Sequence, residues 1–329
     1  LVAFGRQSLA DPAMPKKAQE ERLEDMTPCI ACLQGCVANM YAGNPVCCLT
    51  NPFLGHEAEP LEKAEDPKKV MVIGGGVAGL SAAFIAKERG HEVTLYEAGD
   101  VLGGNMRLAA YPPGKGDITN MIRSYIHRCQ KDGVKIVMNC EVTPELIKEE
   151  KPDSVIIATG SKTLILPIEG IDNPAIIHGS DLLDGKRAAG KKVLVVGGGM
   201  VGCETAAFLG EQEHDVTVIE FRDTVGADVI HEHRVYLMKD FEDYGIKEIT
   251  GAKVCKFYED GVEYETADGV RHESRGYDSV ILSMGFRNYN PLEEKIKDLV
   301  PETHVIGDAI RARRALDATK EAYEVASRI

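Results

Sequence analysis

Thiolates bind metal, and this sequence concentrates them. Five of its nine cysteines lie between residues 29 and 48, in the order Cys29-x2-Cys32-x3-Cys36 and then the adjacent pair Cys47-Cys48. Four thiolates within so short a stretch can wrap one compact inorganic centre. Structural zinc is the alternative, but zinc sites usually use two Cys-x2-Cys knuckles, and a second knuckle is missing here. The asymmetric spacing suits a 4Fe-4S cluster better, with Cys29, Cys32 and Cys36 as three ligands and Cys47 or Cys48 as the fourth. The remaining cysteines, Cys129, Cys140, Cys203 and Cys255, are scattered and read as buried small apolar residues.

A second chemistry is carried by glycine. Val70-Met71-Val72-Ile73 reads as a buried strand, Gly74-x-Gly76-x-x-Gly79 as a turn opening a helix over Leu80 to Lys87, and Glu97 ends the next strand. In that order the first glycine makes the tight turn, the second lets the backbone approach a pyrophosphate, and the third lets helix pack on strand. The helix N-terminus then faces the negative charge, and the acid can accept hydrogen bonds from an adenosine ribose. The pattern recurs. Lys68 to Glu97 aligns without gaps on Lys191 to Glu220, pairing Gly74, Gly76 and Gly79 with Gly197, Gly199 and Gly202, and Glu97 with Glu220. Two such sites in one chain suggest two different dinucleotides exchanging a hydride, one of them a nicotinamide. Glu220 would repel a 2′-phosphate and favours NADH, whereas Arg222, two residues on, could partly accommodate NADPH.

These motifs need parallel sheets to position them. Each repeat is followed by an apolar strand ending in glycine, Val155 to Gly160 and Val280 to Gly285. Strands alternating with helices predict an α/β protein with two Rossmann-like dinucleotide-binding domains. After a polar linker, a strand at His304-Val305-Ile306, then Gly307-Asp308 and a helix from about Ala315, should complete the first sheet. Ahead of the repeats, residues 29–56 have weak periodicity and read as a segment organised by metal rather than by a core. Residues 1–28 read as a strand from Leu1 to Phe4, a Gly5-Arg6 turn and a polar helix from about Asp11 to Glu24, too little to fold alone. The start at Leu1, inside an apolar run, reads as that of a fragment.

Composition fits. A chain of 329 residues suits two or three domains, each with its own core. A formal charge of −14 with no basic cluster argues against nucleic acid or an anionic membrane as partner, and no apolar run reaches the roughly 18 residues of a membrane helix. With no signal peptide, the cysteines fit a reduced cytoplasm. A homo-oligomer is compatible with the sequence.

From Lys68 to Ile329 the chain resembles the two-dinucleotide-domain flavoproteins, in which an FAD domain is interrupted by an NAD(P)H domain and finished by a C-terminal segment. The resemblance implies FAD at Gly74, Gly76, Gly79 and Glu97, with Gly103-Gly104 near the flavin, Val142 meeting the adenine through its backbone, Gly160 alongside, and Gly307-Asp308 at the ribityl chain. It implies NAD(P)H at Gly197, Gly199, Gly202, Glu220, Arg222 and Gly285, with Glu204 near the nicotinamide end; a carboxylate there could equally just favour a helix N-terminus. Members that reduce disulfides carry a cysteine pair after the Gly-Gly, where Asn105, Met106 and Arg107 stand here, so thiol chemistry is not expected.

With the cysteines in front, the order of parts resembles the 2,4-dienoyl-CoA reductase and anaerobic enoate reductase family, whose relatives include trimethylamine dehydrogenase. The resemblance selects Cys48 as fourth ligand. In that family an N-terminal (β/α)8 barrel of old-yellow-enzyme type binds FMN and substrate; Val2 to Arg6 and Ala10-Asp11-Pro12 resemble its end, with Arg6 at the FMN phosphate. The implied domains are 1–28, the end of a truncated barrel; 29–56, the 4Fe-4S segment; 57–187 and 286–329, the two parts of an FAD domain; and 188–285, the NAD(P)H domain. The implied chemistry is hydride transfer from NADH to FAD, then single electrons through the cluster to FMN on an upstream barrel that reduces an activated C=C bond of a small enoate or enoyl-CoA type substrate. The catalytic residues for that last step would lie on the barrel. A competing expectation is an amine-dehydrogenase-like module with ADP in the first site, acting as scaffold and cluster carrier. A glutamate-synthase-type small subunit ranks last, since it predicts more cysteines than the five clustered here.

Overall fold

The computed structural model describes residues 2–329. The chain divides into two compact units: one gathers the residues up to Ala110, Gly116–Lys162 and Arg287–Ile329, the other Tyr111–Lys115 and Thr163–Phe286. Both are α/β.

In the first unit five strands form one sheet in the order Glu302–Val305, Ser154–Ile157, Lys69–Ile73, Glu92–Tyr96, Lys135–Val137, all parallel. Val, Ile and Leu dominate the inner strands because both sheet faces are covered, which is what a parallel sheet requires. The fingerprint strand is central, with Met71 opposite Thr94 on one side and Val155 on the other. Its neighbours are reached by crossovers running in opposite directions, so the crevice of the doubly wound fold opens at its C-terminal end, at Gly74. Helix Val77–Glu88 buries ten of its twelve residues, and an all-round apolar helix must be covered on all sides. Helices Asp117–Lys131 and Ala315–Ala326 pack against it. The C-terminal strand, expected at 304–306, forms at Glu302–Val305 and closes the sheet edge beside Ser154–Ile157.

The second unit repeats the plan, with parallel strands ordered Ile177–His178, Ser279–Leu282, Lys192–Val196, Asp215–Ile219, Lys247–Ile249. It adds an antiparallel sheet of Lys253–Tyr258, Gly261–Glu265 and Arg271–Ser274 that the sequence reading did not anticipate. The signal was there in two Asp-Gly pairs: Asp268-Gly269 lies in the second turn, with Gly269 at φ 80°, while in the first hairpin the turn is Glu259-Asp260 and Gly261 opens the next strand opposite Tyr258.

The N-terminal segment departs from expectation. Leu1 lies outside the described residues, and residues 2–4 form no strand. The helix expected over about 11–24 is replaced by a shorter one, Met14–Gln19, and a 3-10 turn at Leu23–Asp25, with an unexpected helical turn, Gln7–Ala10, ahead of them. Buried Asp11 is the reason: its carboxylate accepts from the amides of Ala13 (3.1 Å) and Thr27 (3.0 Å) and from Lys17 Nζ (2.8 Å), which restarts the helix after Pro12. Glu21 then turns left-handed at φ 58° and ends it. Among the described residues, no helix is long and apolar enough to cross a membrane.

Candidate nucleotide and thiol sites

The first fingerprint is built by packing. Gly74 has φ 107°, and a Cβ there would stand 2.3 Å from the Ala158 carbonyl oxygen; a Cβ on Gly79 would stand 1.9 Å from the Gly74 carbonyl oxygen. Turn and helix-to-strand contact therefore both exclude a side chain. Gly76 differs: the nearest atom to its Cβ position is Gly104 Cα, at 4.0 Å, so space opens over the start of the helix. No side chain caps that helix, and its first turn carries no acid. Glu97 accepts from the amides of Gly75 and Gly99, both at 2.7 Å, which fixes its carboxylate beside the turn.

Other predicted residues of the first unit gather here. Gly103 donates to the Gly75 carbonyl (2.8 Å), and Gly104, at φ 54°, lies against Gly76. Gly307 is wedged where a Cβ would meet Ala78 Cβ at 3.1 Å, so the chain end is held against the first turn of the fingerprint helix. Asp308 accepts from Ser161 Oγ (2.9 Å) and the Arg313 amide (3.0 Å). Gly160, at φ 74°, accepts from the Tyr289 amide. Val142 buries its side chain, while its main-chain N–H and C=O make no hydrogen bond among the described residues.

The second fingerprint repeats this geometry. Cβ atoms on Gly197 and Gly202 would stand 2.4 Å and 1.8 Å from the carbonyl oxygens of Ser283 and Gly197. Glu220 accepts from the amides of Gly198 (2.5 Å) and Arg222 (2.9 Å). Gly285, at φ 99°, accepts from the Leu164 amide. Glu204 is paired with Lys115, at 2.5 Å, both largely shielded from solvent. Lys115 was missed by sequence reasoning; it is distant in the chain, and no motif marks it.

The five clustered cysteines line one small cavity in the first unit, together with Arg6, Leu9, Ile30, Leu33 and Leu49. Ala31 and Leu33, on either side of Cys32, are both left-handed at φ 51° and 58°, a conformation that non-glycine residues hold only where their surroundings dictate it. Burial pushes the Cys32 thiol up to about 11; the Gln34 amide, aimed at its sulfur, opposes the rise, and the proximity of Cys48, Cys36 and Cys29 adds to it. Cys47 points to other partners: its amide donates to the Gly35 carbonyl and its sulfur accepts from Asn39 Nδ2 at 3.4 Å. Among the described residues, no three His, Cys, Asp or Glu side chains converge closely enough to share a single ion. An iron–sulfur core does not ask that of them, because each thiolate bonds its own iron around the core. The segment also has a core anchor that its composition concealed: Ile30 and Leu49 belong to the cluster containing Leu80 and Phe84, and the buried Tyr125 hydroxyl donates to the Leu49 carbonyl at 3.0 Å. Of the scattered thiols, Cys129 and Cys203 are buried as expected, and burial pushes each up to about 12. Cys140 and Cys255 are only half-buried.

Residues 68–304 match the pyridine nucleotide-disulphide oxidoreductase family. The chain is 34% identical over 333 residues to a cinnamate reductase of Clostridium sporogenes, covering 100% of this chain and 50% of that protein. It is 35% identical over 337 residues to an NADH oxidase of Thermoanaerobacter brockii, covering 100% and 52%. A solved 2-naphthoyl-CoA reductase, in complex with 2-naphthoyl-CoA, superposes with a TM-score of 0.94 at 34% identity, over 98% of this chain and 50% of that one. The chain spans about half the length of the curated relatives it matches. It belongs to the pyridine nucleotide-disulphide oxidoreductase family and is a member of the enoate and 2,4-dienoyl-CoA reductase group of oxidoreductases.

Proposed function

We propose that this chain is the electron-input half of an iron–sulfur flavoprotein oxidoreductase, with FAD in the first nucleotide site, NADH in the second and a 4Fe-4S cluster on Cys29, Cys32, Cys36 and Cys48. The observation that carries the reading is the doubled fingerprint with a five-thiol cavity packed on the same core as the first fingerprint helix. When bound, these groups supply hydride transfer from NADH to FAD and single-electron conduction to FMN on an upstream barrel, where an activated C=C bond of an enoate or enoyl-CoA type substrate is reduced.

The residues present fit each group. Open space at Gly76, over uncapped helix amides, suits a pyrophosphate. The unpaired main chain of Val142 suits an adenine edge, and the Glu97 carboxylate, already oriented by two amides, keeps lone pairs for a ribose. In the second site Glu220 has the same two-amide support, which favours NADH over a 2′-phosphorylated nucleotide. Glu204, held by Lys115, would fix the nicotinamide end. At the cysteines, the Gln34 amide can donate to a ligand sulfur and the Ile30–Leu49 wall excludes water, both of which favour a buried cluster. Cys48 is the better fourth ligand, because it keeps the spacing of the family and because the Cys47 sulfur is already engaged by Asn39 Nδ2 at 3.4 Å. Arg6, on the rim of that cavity, suits an FMN phosphate beyond it.

The test is to purify the protein anaerobically, assay iron, sulfide and released flavin, and add NADH while following flavin absorbance and the cluster's electron paramagnetic resonance. Flavin bleaching followed by a reduced-cluster signal is expected. ADP in place of FAD, with no response to NADH, would favour the scaffold reading. Cys32→Ser should remove the cluster and leave flavin reduction intact; loss of both together would refute the division of labour.

A further inference from the structure

The repeat extends further than the fingerprints, and at its end the two copies differ in charge. Gly103 donates to the Gly75 carbonyl (2.8 Å), and its equivalent in the same gapless alignment, Gly226, donates to the Gly198 carbonyl (2.7 Å). Leu102 and Val225, again equivalent, cover Gly75 and Gly198. Two residues beyond those paired glycines stand Asn105 in the first copy and Asp228 in the second. Asn105 is neutral, turned to Ser161, and leaves the helix amides uncovered. Asp228 is charged, and its Oδ1 accepts from the Met200 amide at 2.9 Å, at the first turn of helix Met200–Glu211. Its two oxygens lie 3.5 and 3.6 Å from where a Cβ on Gly199 would point, which is the open side of the second fingerprint glycine.

We infer that Asp228 is a displaceable internal anion: it occupies the phosphate seat of the second nucleotide site and must swing away when a dinucleotide binds, so that this site holds its ligand loosely while the first copy holds its own permanently. The inference rests on the reading of residues 191–220 as a dinucleotide site. Asp228 and an incoming pyrophosphate compete for one set of donors. A carboxylate and a pyrophosphate cannot share the Met200 amide, and a carboxylate displaced only a few ångströms still repels the incoming charge. Asp228 is solvent-exposed, so a carboxylate displaced from the amide can be taken up by water. Such a difference is what a flavoprotein of this design requires, since its flavin stays through every turnover and its nicotinamide must leave after each one.

Asp228→Asn gives the second copy the residue of the first, keeps a capping oxygen and removes the charge. Calorimetry on the full-length, flavin-loaded protein with ADP-ribose should show binding tightened by about two- to fivefold. Adenosine, which has no phosphates, should bind with unchanged affinity. Asp228→Ser, a good cap without charge, should behave the same way and covers a failure of the first variant to fold. Unchanged or weaker ADP-ribose binding by a variant of wild-type melting temperature would overturn the inference, as would equal shifts for both ligands. If the wild type and both variants bind neither ligand, the dinucleotide reading of the site itself has failed.

Discussion

Two glycine substitutions three residues apart separate the folding role of the first fingerprint from its binding role. An alanine at Gly79 would put Cβ 1.9 Å from the Gly74 carbonyl oxygen, so helix Val77–Glu88 must back away from the strand by more than an ångström. That helix is locked in the core through Leu80, Phe84 and Ile85, all fully buried, and overpacking of such a contact costs about 1–3 kcal/mol or more. In a unit of this size each kcal/mol lowers the melting temperature by about 2–4 °C, so Gly79→Ala should lose about 2–12 °C even without ligand. Gly76→Ala meets nothing nearer than 4.0 Å, and its φ of −73° and ψ of −178° are open to any residue. The apo protein should melt within about 2 °C of wild type, since the backbone entropy removed from the unfolded chain offsets the small loss at the cap. Yet the new methyl fills the space over the helix amides, and flavin affinity should fall at least about tenfold by closing the pyrophosphate's approach. Differential scanning of the flavin-free variants and flavin titration decide it. Wild-type flavin affinity in Gly76→Ala would refute the binding argument, and wild-type stability in Gly79→Ala would refute the packing argument.

Tyr125→Phe removes the donor to the Leu49 carbonyl and should cost about 1–3 kcal/mol, seen as a lower melting temperature and, because Leu49 follows Cys48, as faster loss of iron from the purified protein. The Lys115–Glu204 pair is shielded enough for a double-mutant cycle of Lys115→Met and Glu204→Gln to show a coupling of about 1 kcal/mol in urea denaturation; a coupling of zero would mean that the pair does not form in solution. Fully buried His91 accepts from the Lys68 amide at Nδ1, leaving its Nε2 without a partner, and burial followed by the Arg89 and Lys68 charges holds it below its usual 6.5. As pH falls through that value the unfolded chain gains a proton that the folded state refuses, so stability should decline on acidification from pH 7 to 5.5, with a shallower slope in His91→Gln.

What could be read in the sequence was whatever short-range geometry dictates. Gly74, Gly79, Gly197 and Gly202 are glycine because a carbonyl oxygen stands within 2.4 Å of each missing Cβ, and a constraint that local leaves a fixed spacing in the chain. The acids Glu97 and Glu220 were legible for a different reason: the strand–turn–helix–strand unit has a fixed length, which brings each carboxylate onto an amide of the glycine turn 22 residues earlier. The N-terminal helix was misread because Asp11 bonds Thr27, sixteen residues on, and propensity cannot report a carboxylate recruited from so far. Lys115 was invisible because its partner Glu204 is eighty-nine residues away. Asp228 is the instructive case. It stands at a position fixed by the repeat, opposite Asn105, and so could have been found by extending the alignment beyond the acids that end the fingerprints. What the alignment could not supply is that the carboxylate turns inward onto the Met200 amide, whereas the Asn105 side chain turns toward Ser161. Symmetry of backbone is thus a property of the repeat, and asymmetry of charge is where two sites of one design can acquire different tasks.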